Sequence, residues 1–281
     1  MTTTPPREVP AWVNQQFTEF IDRHERMQQV LHMSRGGISM LRGIPKALTA
    51  LAAAQEIDDA KHQKRLERAH RERELAQREV DHDFPMLHEQ ATVAMWSSLE
   101  AMVRSFVARW LQHTPSAWQV EAVGKLRVKL SDYESLDGLD KALWVVDLLD
   151  QEVNGPLRNG VNRFEALLKP FGLDGPVDSE VQKTLFELSQ VRHVLVHRTG
   201  AADRKFIEAC PWLNLNRGDQ LKVSREMVYE YGAALGQYTF ELIQRVRVVL
   251  GIGRYVGPEV ERMKERLEGA EPTPPVEHPK A

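Results

Sequence analysis

The run from Val177 to His197 constrains the fold more than any other stretch. Val181, Leu185, Leu188, Val191 and Leu195 recur at intervals of three and four, the spacing that keeps side chains on one face of an α-helix. A helix of this kind is stable mainly through packing of that face against other elements, so a helical bundle is expected. Gly200 stands where the helix would stop, and Asp178 or Ser179 stands where it would be capped. A second stripe, Phe186, Gln190, His193 and His197, puts both imidazoles on one side. Arg192 falls inside the apolar stripe. A guanidinium does not shed its charge, and burial of an unpaired charge is strongly unfavourable. Arg192 therefore needs a partner: a carboxylate on a neighbouring helix, with Glu100, Asp147 and Asp150 as candidates, or an anionic ligand.

The rest of the chain supplies the helices such a bundle needs. After Pro85, Ala91, Met95, Leu99, Met102, Phe106 and Trp110 mark a core helix from about Met86 to Gln112. Another follows Gly138, through Leu139, Leu143, Val146, Leu149 and Val153, and a short one carries Val161, Phe164, Leu167 and Leu168. Ser224 caps a long helix with Tyr231, Leu235, Tyr238, Leu242, Val246 and Val249 on its buried face, where Gly232 and Gly236 would let another helix approach closely. Two stretches look β-like. Leu126, Val128 and Leu130 alternate as a strand would, and Leu213 to Val223, centred on Asn216-Arg217-Gly218-Asp219, has the pattern of a small hairpin.

Before Pro85 the pattern changes. A helix is expected from about Pro10 to Met33, stopped by Ser34-Arg35-Gly36-Gly37, and a proline-free, charge-dense segment between Pro45 and Pro85 reads as a long solvated helical arm. Glu67 with Arg71 and Glu74 with Arg78 pair at four-residue spacing along it. The organisation expected is therefore an N-terminal helical extension (1–85), a helical bundle (86–250), and a short C-terminal helix after Pro258 with a proline-rich disordered tail from Gly269 (251–281).

With 281 residues, 42% of them hydrophobic, the chain can bury a substantial core. A formal net charge of −3 gives no global excess of positive charge, so any RNA contact must use a local patch. The single cysteine, Cys210, excludes an internal disulfide and fits a reducing compartment. No apolar run approaches the roughly 20 residues of a membrane helix, and no signal-peptide pattern opens the chain. A cytoplasmic protein without a membrane partner is expected.

The hexad Arg192-His193-Val194-Leu195-Val196-His197 resembles the R-polar-x-x-x-H motif of the HEPN superfamily, and Gly200, Asp203 and Phe206 resemble its downstream continuation. Arg65 and His70 share the bare spacing in a charged stretch without that context. The resemblance covers roughly residues 86–250. It implies an all-helical bundle that dimerises with two motifs face to face, and in many members metal-independent RNA cleavage, often in toxin or antiviral defence systems where an antitoxin partner is possible. Arg192, His197 and His193 are the catalytic candidates it implies; His193 occupies a position where members often carry asparagine. Asp203 and Phe206 are expected to fix the loop.

The residue types suit that chemistry. Histidine exists in both proton states near neutrality, and arginine matches phosphate oxygens with a fixed charge and planar fork. His193 and His197 are four apart, as in helical zinc pairs, but no glutamate follows His193 and no third ligand is evident, so no metal is assigned. Gly251-Ile252-Gly253-Arg254 lacks the lysine and strand of a phosphate-binding loop, so no cofactor is assigned either. The alternative is a non-catalytic HEPN-like bundle that binds RNA, a nucleotide or a protein partner through the same groove.

Overall fold

The computed structural model describes residues 8–262 apart from 56–59, 154–158 and 259, and among these residues it is all-helical. In chain order the α-helices are α1 (Ala11–Leu41), α2 (Ile44–Gln55), α3 (Ala60–Asp81), α4 (Pro85–His113), α5 (Glu121–Gly124), α6 (Leu130–Glu134), α7 (Gly138–Val153), α8 (Val161–Leu168), α9 (Ser179–Arg198), α10 (Arg204–Ala209) and α11 (Arg225–Val249). Short 3-10 turns lie at Pro115–Gln119, Lys169–Phe171 and Pro211–Leu213.

α4 is the axis. Its apolar residues Met95, Leu99, Val103, Phe106 and Leu111 are fully buried, and α1, α7, α8, α9 and α11 all pack against it. Burial is on both sides of the helix, which is why Trp96 and Val107 join the core beside the expected stripe. α1 belongs to the same core: Val13, Phe17, Phe20 and Ile21 are buried in it, and the Trp12 ring stacks on Phe106 at 5.9 Å and on His113 at 4.9 Å. The hydrophobic cluster therefore continues across Pro85.

Three local expectations change. α1 runs straight through Gly36 and Gly37, because buried Leu31 and an Arg35 guanidinium bonded to His88 Nε2 at 2.7 Å hold its second half against the bundle. The break comes at Arg42 and Gly43, just ahead of Pro45, whose missing N–H suits the first turn of a new helix. Leu126 and Val128 form no strand, since no neighbouring edge is there to pair with them among the described residues. Nor does Leu213–Val223 fold back on itself. The turn is present, with Asp219 N–H donating to Asn216 O at 3.1 Å and Asn216 N–H to Asp219 Oδ2 at 2.8 Å. Pro211–Leu213, however, coils into a helical turn, so the residues after the turn bond instead to the loop behind α9, through a single antiparallel bridge between Ala201 and Gln220. Of the expected C-terminal helix, Pro258 and residues 260–262 are helical; the remainder and the tail from Gly269 lie outside the described residues.

Polar groups inside the bundle lock the ends of α8, α9 and α11 together. Glu165 on α8 accepts from the buried Tyr238 hydroxyl at 2.8 Å, from Arg245 Nη1 at 2.9 Å and from Gly175 N–H at 2.8 Å, while Arg245 Nη2 donates to Pro176 O at 2.8 Å. A Cβ on Gly175 would sit 2.8 Å from Arg245 Nε, so only glycine lets the loop before α9 lie across that guanidinium.

Two buried imidazoles make stability depend on pH. His24 on α1 lies against Gly232 of α11, where a Cβ on that glycine would come within 3.6 Å of its Nε2, and neither ring nitrogen has a hydrogen-bond partner. Burial lowers the pKa of His24 below its ordinary 6.5, and burial followed by the charge of Arg35 does the same for His88. A base whose folded pKa is depressed binds its proton more readily when unfolded, so stability is full above about pH 6.5 and falls on acidification. The melting temperature should drop between pH 7.5 and 5, and His24→Leu should flatten that dependence. An unchanged slope in the variant would mean that His24 does not contribute.

Candidate functional site

α9 is positioned from both ends. At its start Asp178 Oδ1 accepts from Glu180 N–H at 2.9 Å and Val181 N–H at 3.2 Å, satisfying donors that the helix itself leaves open. Val181, Leu185, Leu188, Val191 and Val194 are buried, so the core face is as the spacing predicts, with Val194 added and Leu195 only partly covered. At its end Thr199 (φ +50) and Gly200 (φ +83) are both left-handed, and Gly200 N–H donates to Val194 O at 3.2 Å. A Cβ on Gly200 would meet Gln220 Oε1 at 3.2 Å. Asp203 Oδ1 then accepts from Phe206 N–H at 2.9 Å, which starts α10 and holds the Asp203 carboxyl below the usual carboxylate range. The Phe206 ring is buried. Gly200, Asp203 and Phe206 thus shape the turn that follows the motif.

His193 and His197 are exposed on the last turns of α9, their rings 4.7 Å apart between centroids and tilted by 49°. Partial desolvation lowers the His193 pKa, and the neighbouring charges of His197, Arg192 and Arg198 lower it further against the opposing pull of Asp203. Both effects favour the neutral form of His193. Arg198 Nε lies 3.4 Å from Asp203 Oδ2, which ties the end of α9 to the loop. Arg192 is half-buried between this exposed face and the core.

None of the three acids considered for Arg192 is bonded to it. Arg163 of α8 takes Glu100 through Nη1 at 2.8 Å and Asp150 through Nε at 2.9 Å with a further bond from Nη2. Arg104 of α4 donates to Asp147 and, through Nη1 at 3.1 Å, to Asp150 Oδ2, the oxygen that Arg163 Nη2 also reaches. Asp150 is buried, so these two guanidiniums neutralise a carboxylate at the α4–α7–α8 junction. Arg192 is left with no ion pair among the described residues, and its Nε is buried without any hydrogen-bond partner. Arg163 carries the structural role considered for Arg192. Its only mark in the sequence is a basic residue beside Phe164 on a short helix, opposite three acids on two others.

Phe186 is less open than its place on the polar stripe suggests. Gly160 (φ +60) lies against it so closely that a Cβ there would be 2.8 Å from Phe186 Cα, and the Phe186 side chain packs on the core. Val196, which borders this face on the Arg192 side of His193, is an apolar residue left 46% exposed. Also unanticipated is Glu187, which accepts from the buried Tyr231 hydroxyl at 2.7 Å and from the Trp212 indole N–H, holding α9 against α11. Among the described residues no three His, Cys, Asp or Glu side chains converge as a metal cluster would. No helix among them is long and apolar enough to cross a membrane. Comparison of the chain with protein-family models, with curated proteins and with solved structures yields no match.

Proposed function

We propose that the chain is an endoribonuclease of the HEPN type that cuts RNA without a metal, with Arg192 holding the scissile phosphate and His197 exchanging the protons. The observation that carries this reading is Arg192: a half-buried guanidinium with no ion pair and an unbonded buried Nε among the described residues, next in sequence to exposed His193 and on the same helix as exposed His197. An uncompensated buried donor costs about 1–3 kcal/mol, and among the described residues no carboxylate competes with an anionic ligand for the rest of this guanidinium. A phosphodiester has the charge and the planar pair of oxygens that a guanidinium fork fits.

In the proposed step the 2′-hydroxyl loses its proton to a neutral imidazole, and the 2′-oxygen attacks phosphorus while Arg192 stabilises the charge on the phosphorane oxygens. The bond to the 5′-oxygen breaks as a protonated imidazole donates to it. The products are a 2′,3′-cyclic phosphate and a 5′-hydroxyl. Neutral His193 keeps a hydrogen-bonding side chain beside His197 and is not itself required, so His193→Asn should retain most activity. Two copies meeting through Val196 and the histidines would supply one imidazole as base and its mate as acid. A cytoplasmic setting, a toxin or antiviral role and an antitoxin partner belong to the same proposal and rest on the sequence resemblance.

The ends of the products test the reading. RNA incubated with the protein in excess chelator should be cut to fragments carrying 2′,3′-cyclic or 3′-phosphates. Cleavage that appears only with added divalent metal would contradict it, and RNA retained on the protein but never cut would favour a binding module at the same site.

A further inference from the structure

On α1 and α2 the residues Val30, Met33, Gly37, Met40, Ile44, Ala47, Leu51 and Ala54 follow one another at alternating intervals of three and four. That is the a/d pattern of a coiled coil, sustained over eight positions. Every one of the eight is exposed, with Val30 at 49%, Met33 at 64%, Met40 at 75%, Ile44 at 39% and Leu51 at 50%. Isolated exposed apolar side chains are ordinary, but a contiguous row of them is not.

The row is turned outward by what lies on the opposite face. Leu31 and Pro45 are buried, Ile38, Leu48 and Ala52 are half-buried, and Arg35 is fastened to His88, whose Nδ1 lies 3.2 Å from Val223 O. α3 packs along both α1 and α2, so the two helices share one inner neighbour and one outer face despite the break at Arg42 and Gly43. α2 makes the point most sharply: Ile44-Pro45-Lys46-Ala47-Leu48-Thr49-Ala50-Leu51-Ala52-Ala53-Ala54-Gln55 is mostly apolar, yet only Pro45 is buried.

We infer that this seam docks the same seam of a second copy of the chain. Self-association is the occupant the chemistry fits, because the positions flanking the row, Gln29, Ser34, Gly36, Leu41, Gly43, Leu48, Ala50 and Gln55, carry no charge. A two-fold pairing places like beside like, and charged flanks would repel their own copies. Arg35, Arg42 and Lys46 lie off the seam. At about 1.5 Å per residue its two helical parts, Val30–Met40 on α1 and Ile44–Ala54 on α2, are each about 15 Å long, together enough for two copies to interlock along them. Gly37, Ala47 and Ala54 allow the backbones to come close while Val30, Met33, Met40, Ile44 and Leu51 fill the spaces between. The row has no aromatic or arginine anchor, so a dissociation constant on the order of micromolar is expected. The seam lies on helices other than α9, and the inference does not depend on the proposed nuclease site.

Sedimentation equilibrium over a concentration series tests it. With Val196→Asp carried in every protein, so that the α9 face proposed above cannot pair, the mass should rise from monomer toward dimer, and Met40→Glu with Leu51→Glu should weaken that association at least about 100-fold while leaving the circular dichroism melt unchanged, since both side chains are exposed. Met40→Lys with Leu51→Lys should do the same. An equimolar mixture of the acidic and basic variants should associate again, because the two seams then meet with opposite charge. A Val196→Asp protein with the seam intact that is monomeric at about 100 μM would overturn the inference, whether its own C-terminal residues or a lipid surface then cover the seam. So would a dimer that the acidic variant leaves intact, or a mixture that stays monomeric.

Discussion

Arg163→Ala is expected to lower the stability of the bundle by about 3 kcal/mol, the lower end of the roughly 3–5 kcal/mol seen when one partner of a buried ion pair is removed. The reason lies at Asp150, a buried carboxylate that accepts two bonds from Arg163 and one from Arg104 at 3.1 Å. Without Arg163, Arg104 still reaches Asp150, which keeps the loss from being larger, but Glu100 loses its partner as well. Arg163→Lys should recover only part of the difference. A single ammonium does not span Glu100 and Asp150 with directed bonds as a planar guanidinium does. Urea unfolding midpoints of the three proteins measure this directly, and a loss below about 1 kcal/mol would show that the junction tolerates an unmatched acid.

Arg192→Ala is expected to do the opposite. Among the described residues Arg192 has no carboxylate partner whose charge would be stranded, and its buried Nε already lacks a bond, so stability should stay within about 0.5 kcal/mol of wild type. RNA cleavage should fall by about 100- to 1000-fold, the scale of losing one group that stabilises developing charge. A variant that unfolds like Arg163→Ala would place Arg192 among the structural arginines and remove the main support for a phosphate site. The two arginines separate the roles by experiment: one holds the bundle, and the other is held by it.

The helices were legible where one face is apolar and the other polar. α4, α7, α9 and α11 fall within a few residues of the periodicity that marks them, and the caps Asp178 and Ser224 stand at the expected helix starts. Gly36 and Gly37 misled because glycine's weak helix propensity is a local quantity, and contacts made by Leu31 and Arg35 outweigh it. Reading a stop there also hid the seam, which crosses it. The turn at Asn216–Asp219 was legible from its residue types, whereas its bonding partner was not. A strand pattern does not say which backbone it will meet. For the site, the shared face of His193 and His197 follows from helix geometry alone. The assignment of Glu100, Asp147 and Asp150 does not, since their partners Arg163 and Arg104 come from other helices and spacing along the chain carries no trace of it.

The closest test of the nuclease reading is the rate at which His197→Ala cuts RNA in EDTA, compared with wild type at equal concentration. His197 is exposed and its ring lies against that of His193, so the variant should keep the wild-type melting temperature while its cleavage rate falls by about 100-fold or more, the contribution typical of a lost proton-transfer group. Wild type should release 2′,3′-cyclic phosphate ends under the same conditions. A folded His197→Ala protein that cuts at the wild-type rate, with the same ends, would contradict the assignment of His197 and with it the metal-free mechanism built on α9.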